Sequence, residues 1–363
     1  VVSAADDDRP PLPSSESESS FSARPKPKLG LSTSIRLHAS ASFPTSNSAA
    51  VLEAGSPWII ALDTMNAALT KATRVGVGSY TESFVSEWAN GRIVLIKKLL
   101  QQHASIEYRI MFLVDICLLR QLRPQALLPV LAACFSPPCL AVVVELQENG
   151  SVADTLFSHG PPSIFPPSTM SAMFAERKRR KRRDRQPVLS LADKLCIMRA
   201  ILDGLHYLHQ RGHSFSGLKP TNILLTTVEN ANGSIGFSAV LSDYGLVELK
   251  QSLGTMTMSQ TAMYESPEVL RGEERTQASD VFSFGTILFE LFTEETVFPR
   301  TMNAMEVAFA IARGFEVVIP SSVPLEVADI ITSCWATNPT LRPTVASLKA
   351  SIETFEIMEH SSG

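Results

Sequence analysis

The hydrophobic period of this chain changes along its length, and the change restricts the folds open to it. VGVGSYTESFV (75–85) and GRIVLIKKLL (91–100) are rich in β-branched residues and read as two strands joined by a turn at Asn90-Gly91. CLAVVVEL (139–146) is a third, buried strand, bounded by Pro137-Pro138 and Asn149-Gly150. IEYRIMFLVDICLLRQL (106–122) has helical spacing. From LADKLCIMRAILDGLHYLHQ (191–210) to about residue 356 the pattern is mostly helical. The expectation is an α+β protein of two lobes: a small β-rich lobe with its lead-in over 56–145 and a larger helical lobe over 146–356. A basic, Pro/Ser-rich insert at about 158–187 interrupts the second lobe, and 357–363 form a tail. No internal repeat is evident.

Residues 1–55 are rich in Ser, Pro, Ala and charge without apolar periodicity, so they bury too little to offset ordering entropy and read as disordered. The remainder, in a chain of 363 residues that is 45% hydrophobic, is ample for a sizeable core. A net charge of −4 gives no global pull toward nucleic acid. Five cysteines (Cys117, Cys134, Cys139, Cys196 and Cys334) without a C-x-x-C spacing argue for reduced thiols in a cytoplasmic setting, against a disulfide framework and against a zinc site. No run of 18 apolar residues is present, so no membrane-spanning helix is expected in this chain; the start at Val1 leaves an upstream segment open. The basic run RKRRKRR (177–183) reads as a solvated loop, with nuclear import or an acidic partner as the alternatives.

Six short motifs then follow in order: GVG (76–78), VLIK (94–97), LKPTN (218–222), DYG (243–245), SPE (266–268) and SDVFSFG (279–285). Each alone is weak. Taken alone, Lys97 reads as a surface strand lysine beside Lys98, and Asp243-Tyr244-Gly245 as an ordinary turn. Their order and spacing over about 71–356 resemble the eukaryotic protein kinase domain, and SCW…NP…RPT (333–344) is similar to its tyrosine-kinase-like group. The resemblance implies the two-lobed kinase fold with ATP and magnesium as cofactors. It implies that Gly76 and Gly78 let backbone N–H groups close over phosphates. Lys97 would hold the α- and β-phosphates, with Asp115 where the family has the partner Glu. Leu95 and Leu224 would enclose the adenine, and Glu145 joins this nucleotide set. Asn222 and Asp243 would be the magnesium ligands, hard oxygen donors suited to that ion.

The departures from the pattern cluster at the chemistry. Where the family has His-Arg-Asp before the loop lysine, this chain has Phe215, Ser216 and Gly217, while Lys219 is retained. Gly217 has no side chain to accept the substrate proton, and losing a positioned base typically costs about 10²–10⁴ in rate. His213 reads as a surface histidine at a strand start. Without an Arg at 216, phosphorylation of Ser252, Thr255, Thr257 or Ser259 has no evident receiver. Thr81 replaces the third glycine of the phosphate loop, and Leu95 adds bulk to the adenine slot. Phe215 is expected to pack against Tyr244, below Leu119 and Val130. The fold residues stay: Glu268 and Arg342 match a buried ion pair, Asp280 the residue that holds the catalytic-loop backbone, and Trp335 a core position.

Three functions fit this pattern. The first is a catalytically inactive kinase-like domain, a pseudokinase that serves as a signalling scaffold or allosteric regulator through a protein partner. The second is an active or weakly active Ser/Thr kinase, which LKPTN favours over a tyrosine kinase. The third is a kinase-homology regulatory module of a larger receptor, whose further domains would lie outside this chain.

Overall fold

The computed structural model describes residues 57–77, 81–88, 91–100, 116, 120, 126–147, 149–157, 189–215, 217–229, 235–242, 262–299, 301–314 and 317–362. Ala54–Gly363 cluster as one compact unit.

A helix α1 (Leu62–Thr70) precedes a five-stranded antiparallel sheet of β1 (Thr73–Val77), β2 (Thr81–Glu87), β3 (Ile93–Leu99), β4 (Val130–Cys134) and β5 (Ala141–Glu145), ordered β1-β2-β3-β5-β4. The stretch 75–85 read above as one strand is therefore parts of two, β1 and β2, which pair antiparallel with Thr73 opposite Val85 and a register shift between Arg74 and Gly76. Glycine weakens a strand interior and marks bends and bulges, and Gly76 falls at that register shift. The β2–β3 turn closes through Trp88 N–H to Arg92 O at 2.6 Å and Gly91 N–H to Trp88 O at 3.1 Å, with Gly91 at φ +73°, a backbone that L side chains rarely adopt.

Alternation along β3 assigns its two faces. Val94 and Ile96 are wholly buried with Met65 of α1, Ala132, Cys134, Cys139, Ala141 and Val143. Leu95 and Lys97 are therefore on the opposite face.

The larger part is helical, around α2 (Val152–Leu156), α3 (Leu191–His209), α4 (Pro267–Leu270), α5 (Gln277–Thr293), α6 (Ala304–Ala312), α7 (Leu325–Cys334) and α8 (Val345–Ser362), with one hairpin of β6 (Ile223–Glu229) and β7 (Ile235–Leu241). The start of α3 is set by a capping box: Asp193 N–H donates to Ser190 Oγ at 3.2 Å and Ser190 N–H to Asp193 Oδ2 at 3.1 Å. Asp193 Oδ1 also accepts from Phe237 N–H at 3.2 Å, fixing α3 on the hairpin. The core runs through α3, α5 and α7, with Phe215, Phe282 and Phe284 wholly buried. The hairpin also joins the strand region: Leu128 N–H donates to Leu241 O and Leu241 N–H to Ala126 O, both at 2.8 Å. Of the helix expected over 106–122, only Ile116 and Arg120 lie among the described residues; both are helical. The segments 1–56 and 158–188 lie outside them. No described helix is long and apolar enough to cross a membrane.

Candidate functional site

The strand side of the site is one row across the sheet. Gly76 lies opposite Ser83, Ser83 opposite Lys97, and Lys97 opposite Val142. Directly opposed residues point to the same face, so Ser83, Lys97 and Val142 line one surface. One step along the same face, Leu95 stands opposite Val85 and Val144, half-buried. Glu145 is opposite Val94, which assigns its side chain to the other face; there Arg92 Nη2 binds its carboxylate at 2.7 Å. Only the backbone of Glu145 adjoins the Lys97 face. Gly78 and Asp115 lie outside the described residues.

The loop side begins where α3 ends at His209. Gly212 turns the chain at φ +78°, and His213 N–H bonds back to Leu208 O at 3.1 Å, so His213 stands in the turn after a helix rather than at a strand start. Phe215 follows, wholly buried, and donates its backbone N–H to Asp280 Oδ2 at 2.7 Å. The same oxygen faces His209 Nε2 at 2.9 Å, and Gln277 Nε2 donates to His209 O at 2.9 Å. The N-terminal turns of α5 thus hold both ends of the 209–215 stretch.

Gly217 and Leu218 lead into a 3₁₀ turn, Pro220–Asn222, with Asn222 N–H bonded to Lys219 O at 2.9 Å. Asn222 is buried, and its Nδ2 donates to Gly217 O at 2.9 Å. That bond points the amide nitrogen at the loop backbone and leaves the oxygen as the atom suited to a cation. Ser242, the residue before Asp243, donates its N–H at 2.8 Å and its hydroxyl at 3.1 Å to Asn222 O. The chain path thus runs beside Asn222 as far as Ser242; Asp243 itself, like Ser216, Tyr244 and Leu119, lies outside the described residues. Leu224 is half-buried in β6 and bridges to Ser151.

The sequence reading passed over Glu265, in the YESPE stretch. Burial raises its carboxyl above the ordinary carboxylate range; Arg275, at 2.9 Å, and Lys219 of the loop pull the other way, and Asp280 adds to the rise. The loop lysine therefore stands in the field of a buried acid that no motif marks. Three residues on, Glu268 takes a bidentate pair from Arg342, Nη1–Oε1 at 2.6 Å and Nη2–Oε2 at 2.8 Å, both side chains buried. Burial pushes the Glu268 carboxyl up, but the bonds from Arg342 prevail and hold it below its usual value.

Chemically, a strand lysine suits a polyanion and a loop amide oxygen suits a divalent cation. No side chain projects from position 217.

A family model described as protein tyrosine and serine/threonine kinase matches residues 69–352. Among curated relatives, R831 of Acanthamoeba polyphaga mimivirus, named as a serine/threonine-protein kinase/receptor, is 28% identical over 293 residues, 80% of this chain and 16% of its own length. Two Arabidopsis thaliana proteins named as serine/threonine-protein kinases are also similar. SIS8 is 30% identical over 78% of this chain and 25% of its own length, and CTR1 is 28% identical over 76% and 30%. The chain therefore spans less than a third of the length of these relatives.

Proposed function

Since the chain belongs to the protein tyrosine and serine/threonine kinase family, with serine/threonine-protein kinases among its relatives, we propose that its kinase domain has given up phosphoryl transfer by the family's usual route and works as a pseudokinase. In this reading it is a signalling scaffold or allosteric regulator, recognised by a protein partner through its folded surface. The observation that carries the reading is the catalytic loop. Among the described residues its supporting contacts are kept, with Phe215 N–H on Asp280, Asn222 on Gly217 O and Glu268 on Arg342, while Gly217 stands at the position of the proton acceptor. A chain that keeps the buried charges needed for folding and lacks the one needed for turnover fits a recognition role.

ATP and magnesium fit the residues present. Lys97 is on a common face with Ser83, and the Asn222 amide presents its oxygen. When bound, the nucleotide would supply charge that Lys97 and the glycine-rich strand end neutralise. It would serve as a ligand that sets the domain's shape rather than as a phosphate donor. The domain is proposed to act in the cytoplasm, with the 177–183 run offering nuclear import.

A second reading, a slow Ser/Thr kinase, draws on Lys97, Lys219 and Asn222. Positioning and electrostatics carry most of phosphoryl transfer, so loss of one group leaves residual rate.

A phosphotransfer assay on the purified chain with ATP and magnesium, run beside Gly217→Asp, separates the two. The pseudokinase reading expects no transfer above background from the native chain. Measurable transfer that Lys97→Met abolishes would overturn it in favour of the slow kinase.

A further inference from the structure

Away from the nucleotide face, on the side of the sheet covered by α1, two thiols meet. Cys134 ends β4, and Cys139 sits two residues before the start of β5. Cys134 is paired with Ala141, and alternation assigns Cys139 to the same face as Ala141, so the two cysteines are diagonal neighbours on one face. Both belong to the apolar cluster beneath α1, 0% and 2% exposed. The intervening turn is closed by Cys139 N–H to Ser136 O at 2.9 Å, and its tip residues Ser136, Pro137 and Pro138 are exposed. An exposed turn thus directly joins the two buried thiols.

The side chains are in hydrogen-bonding contact with one another, Cys139 donating to Cys134. That bond, helped by Ser136, outweighs burial and holds Cys134 below the ordinary thiol range, while the donated bond and burial hold Cys139 above it. Lys98 stands opposite Ala141 on this face and favours the anionic form of Cys139. A thiolate beside a second thiol and a cation is the arrangement of a redox-reactive pair. Nothing in the kinase reading uses it: Lys97 and Leu95 face the other way.

We propose that Cys134 and Cys139 form a reversible disulfide in response to peroxide. The Cys134 thiolate attacks one peroxide oxygen, the O–O bond breaks, and hydroxide leaves; sulfur is oxidised to the sulfenic acid and peroxide is reduced. Cys139 then loses its proton and attacks that sulfur, the S–S bond forms, the S–O bond breaks, and the departing hydroxide takes the proton to become water. The sum is two thiols and one peroxide giving one disulfide and two waters. The sulfurs need only close from contact to about 2.0 Å. A dithiol reductant reverses the step. Such a bond ties the end of β4 to the lead of β5, directly behind Lys97's strand. It is also compatible with a reducing compartment, where disulfides are transient and redox-sensing.

The test is peptide mass mapping of the folded full chain after hydrogen peroxide, with free thiols blocked by maleimide in denaturant. The expected result is a Cys134–Cys139 peptide two hydrogens lighter, restored by dithiothreitol. Cys334, which is as deeply buried and raised to about 12 by that burial, stays maleimide-reactive throughout. The proposal is overturned if both cysteines take up maleimide after peroxide. It also falls if each is found separately as a sulfinic acid, or if the bond forms only when peroxide is added in urea. Cys139→Ser provides the second arm: with no resolving thiol, Cys134 should be captured by dimedone, and a dimedone-negative variant would count against Cys134 as the attacking thiol.

Discussion

One carboxylate oxygen, Asp280 Oδ2, holds the backbone N–H of Phe215 at 2.7 Å and the ring nitrogen of His209 at 2.9 Å. Both partners are 65 or more residues away in sequence, so this single atom joins the start of α5 to the catalytic loop. Asp280→Ala leaves a buried N–H and an imidazole unpaired, each worth about 1–3 kcal/mol. The expected loss is about 2–4 kcal/mol in urea unfolding. Asp280→Asn keeps one acceptor and should lose roughly half of that. Equal unfolding midpoints for wild type and Asp280→Ala would contradict the assignment.

The Glu268–Arg342 pair gives a pH-dependent prediction. The folded-state carboxyl titrates below its ordinary value of 4.5, so its contribution is present above about pH 4.5 and is lost as pH falls through the lowered value. Glu268→Gln at neutral pH leaves Arg342 as an uncompensated buried cation and should cost about 3–5 kcal/mol. Stability measured from pH 7 down to pH 3 should fall more steeply below pH 4.5 in the wild type than in the variant. Parallel curves would show that the pair does not titrate as assigned.

What the sequence made legible follows from the kind of signal each element leaves. Elements with a local pattern were readable, the strand around Lys97 and the helix from Leu191, while the buried Glu268–Arg342 and Asp280 positions were legible through the order of the kinase-like motifs. Elements fixed by tertiary packing were not. Thr73–Val77 and Thr81–Glu87 looked like one strand because glycine breaks a strand without changing its hydrophobic pattern. Val130–Cys134 was missed because its apolar run is short and opens after a proline. Glu265 had no signal at all, since its significance arises from burial beside Arg275 and Lys219, which are distant or unremarkable in sequence. The Arg92–Glu145 pair is likewise a product of β3–β5 register.

Gly285, in the middle of α5, predicts the sign of a substitution that helix propensity alone would get wrong. Alanine is intrinsically better in a helix by about 1 kcal/mol. A Cβ here, however, would stand 2.6 Å from Cys334 Cβ and 3.3 Å from the Trp335 ring. Cys334 Cβ is carried by the backbone of α7 and cannot swing aside. The overpacking cost of about 1–3 kcal/mol should therefore prevail, and Gly285→Ala should lower Tm by a few degrees. Trp335 fluorescence should shift with it, because the indole N–H bond to Thr286 Oγ1 at 3.2 Å and the Phe289 ring at 5.8 Å share that contact. An unchanged or higher Tm would mean that the α5–α7 contact is looser than these distances.

The proposed nucleotide site gives Leu95 a testable role, that of setting how far the slot has closed. It lies on the Lys97 face between Val85 and Val144, where, in the proposed reading, its branched side chain would narrow the slot the kinase family uses for a flat ring. Removing an overpacked group of this size should recover about 1–3 kcal/mol, roughly 5–150-fold in affinity. Leu95→Ala should therefore show a larger ATP-induced rise in Tm than the wild type, each referred to its own ligand-free protein, and magnesium should increase it through Asn222. Adding Lys97→Met to Leu95→Ala should remove most of the rise, because the phosphates lose their cation while the slot stays open. If Leu95→Ala gains nothing with either ligand, the side chain is not what limits access, and the pseudokinase reading then rests on the loop at Gly217 alone.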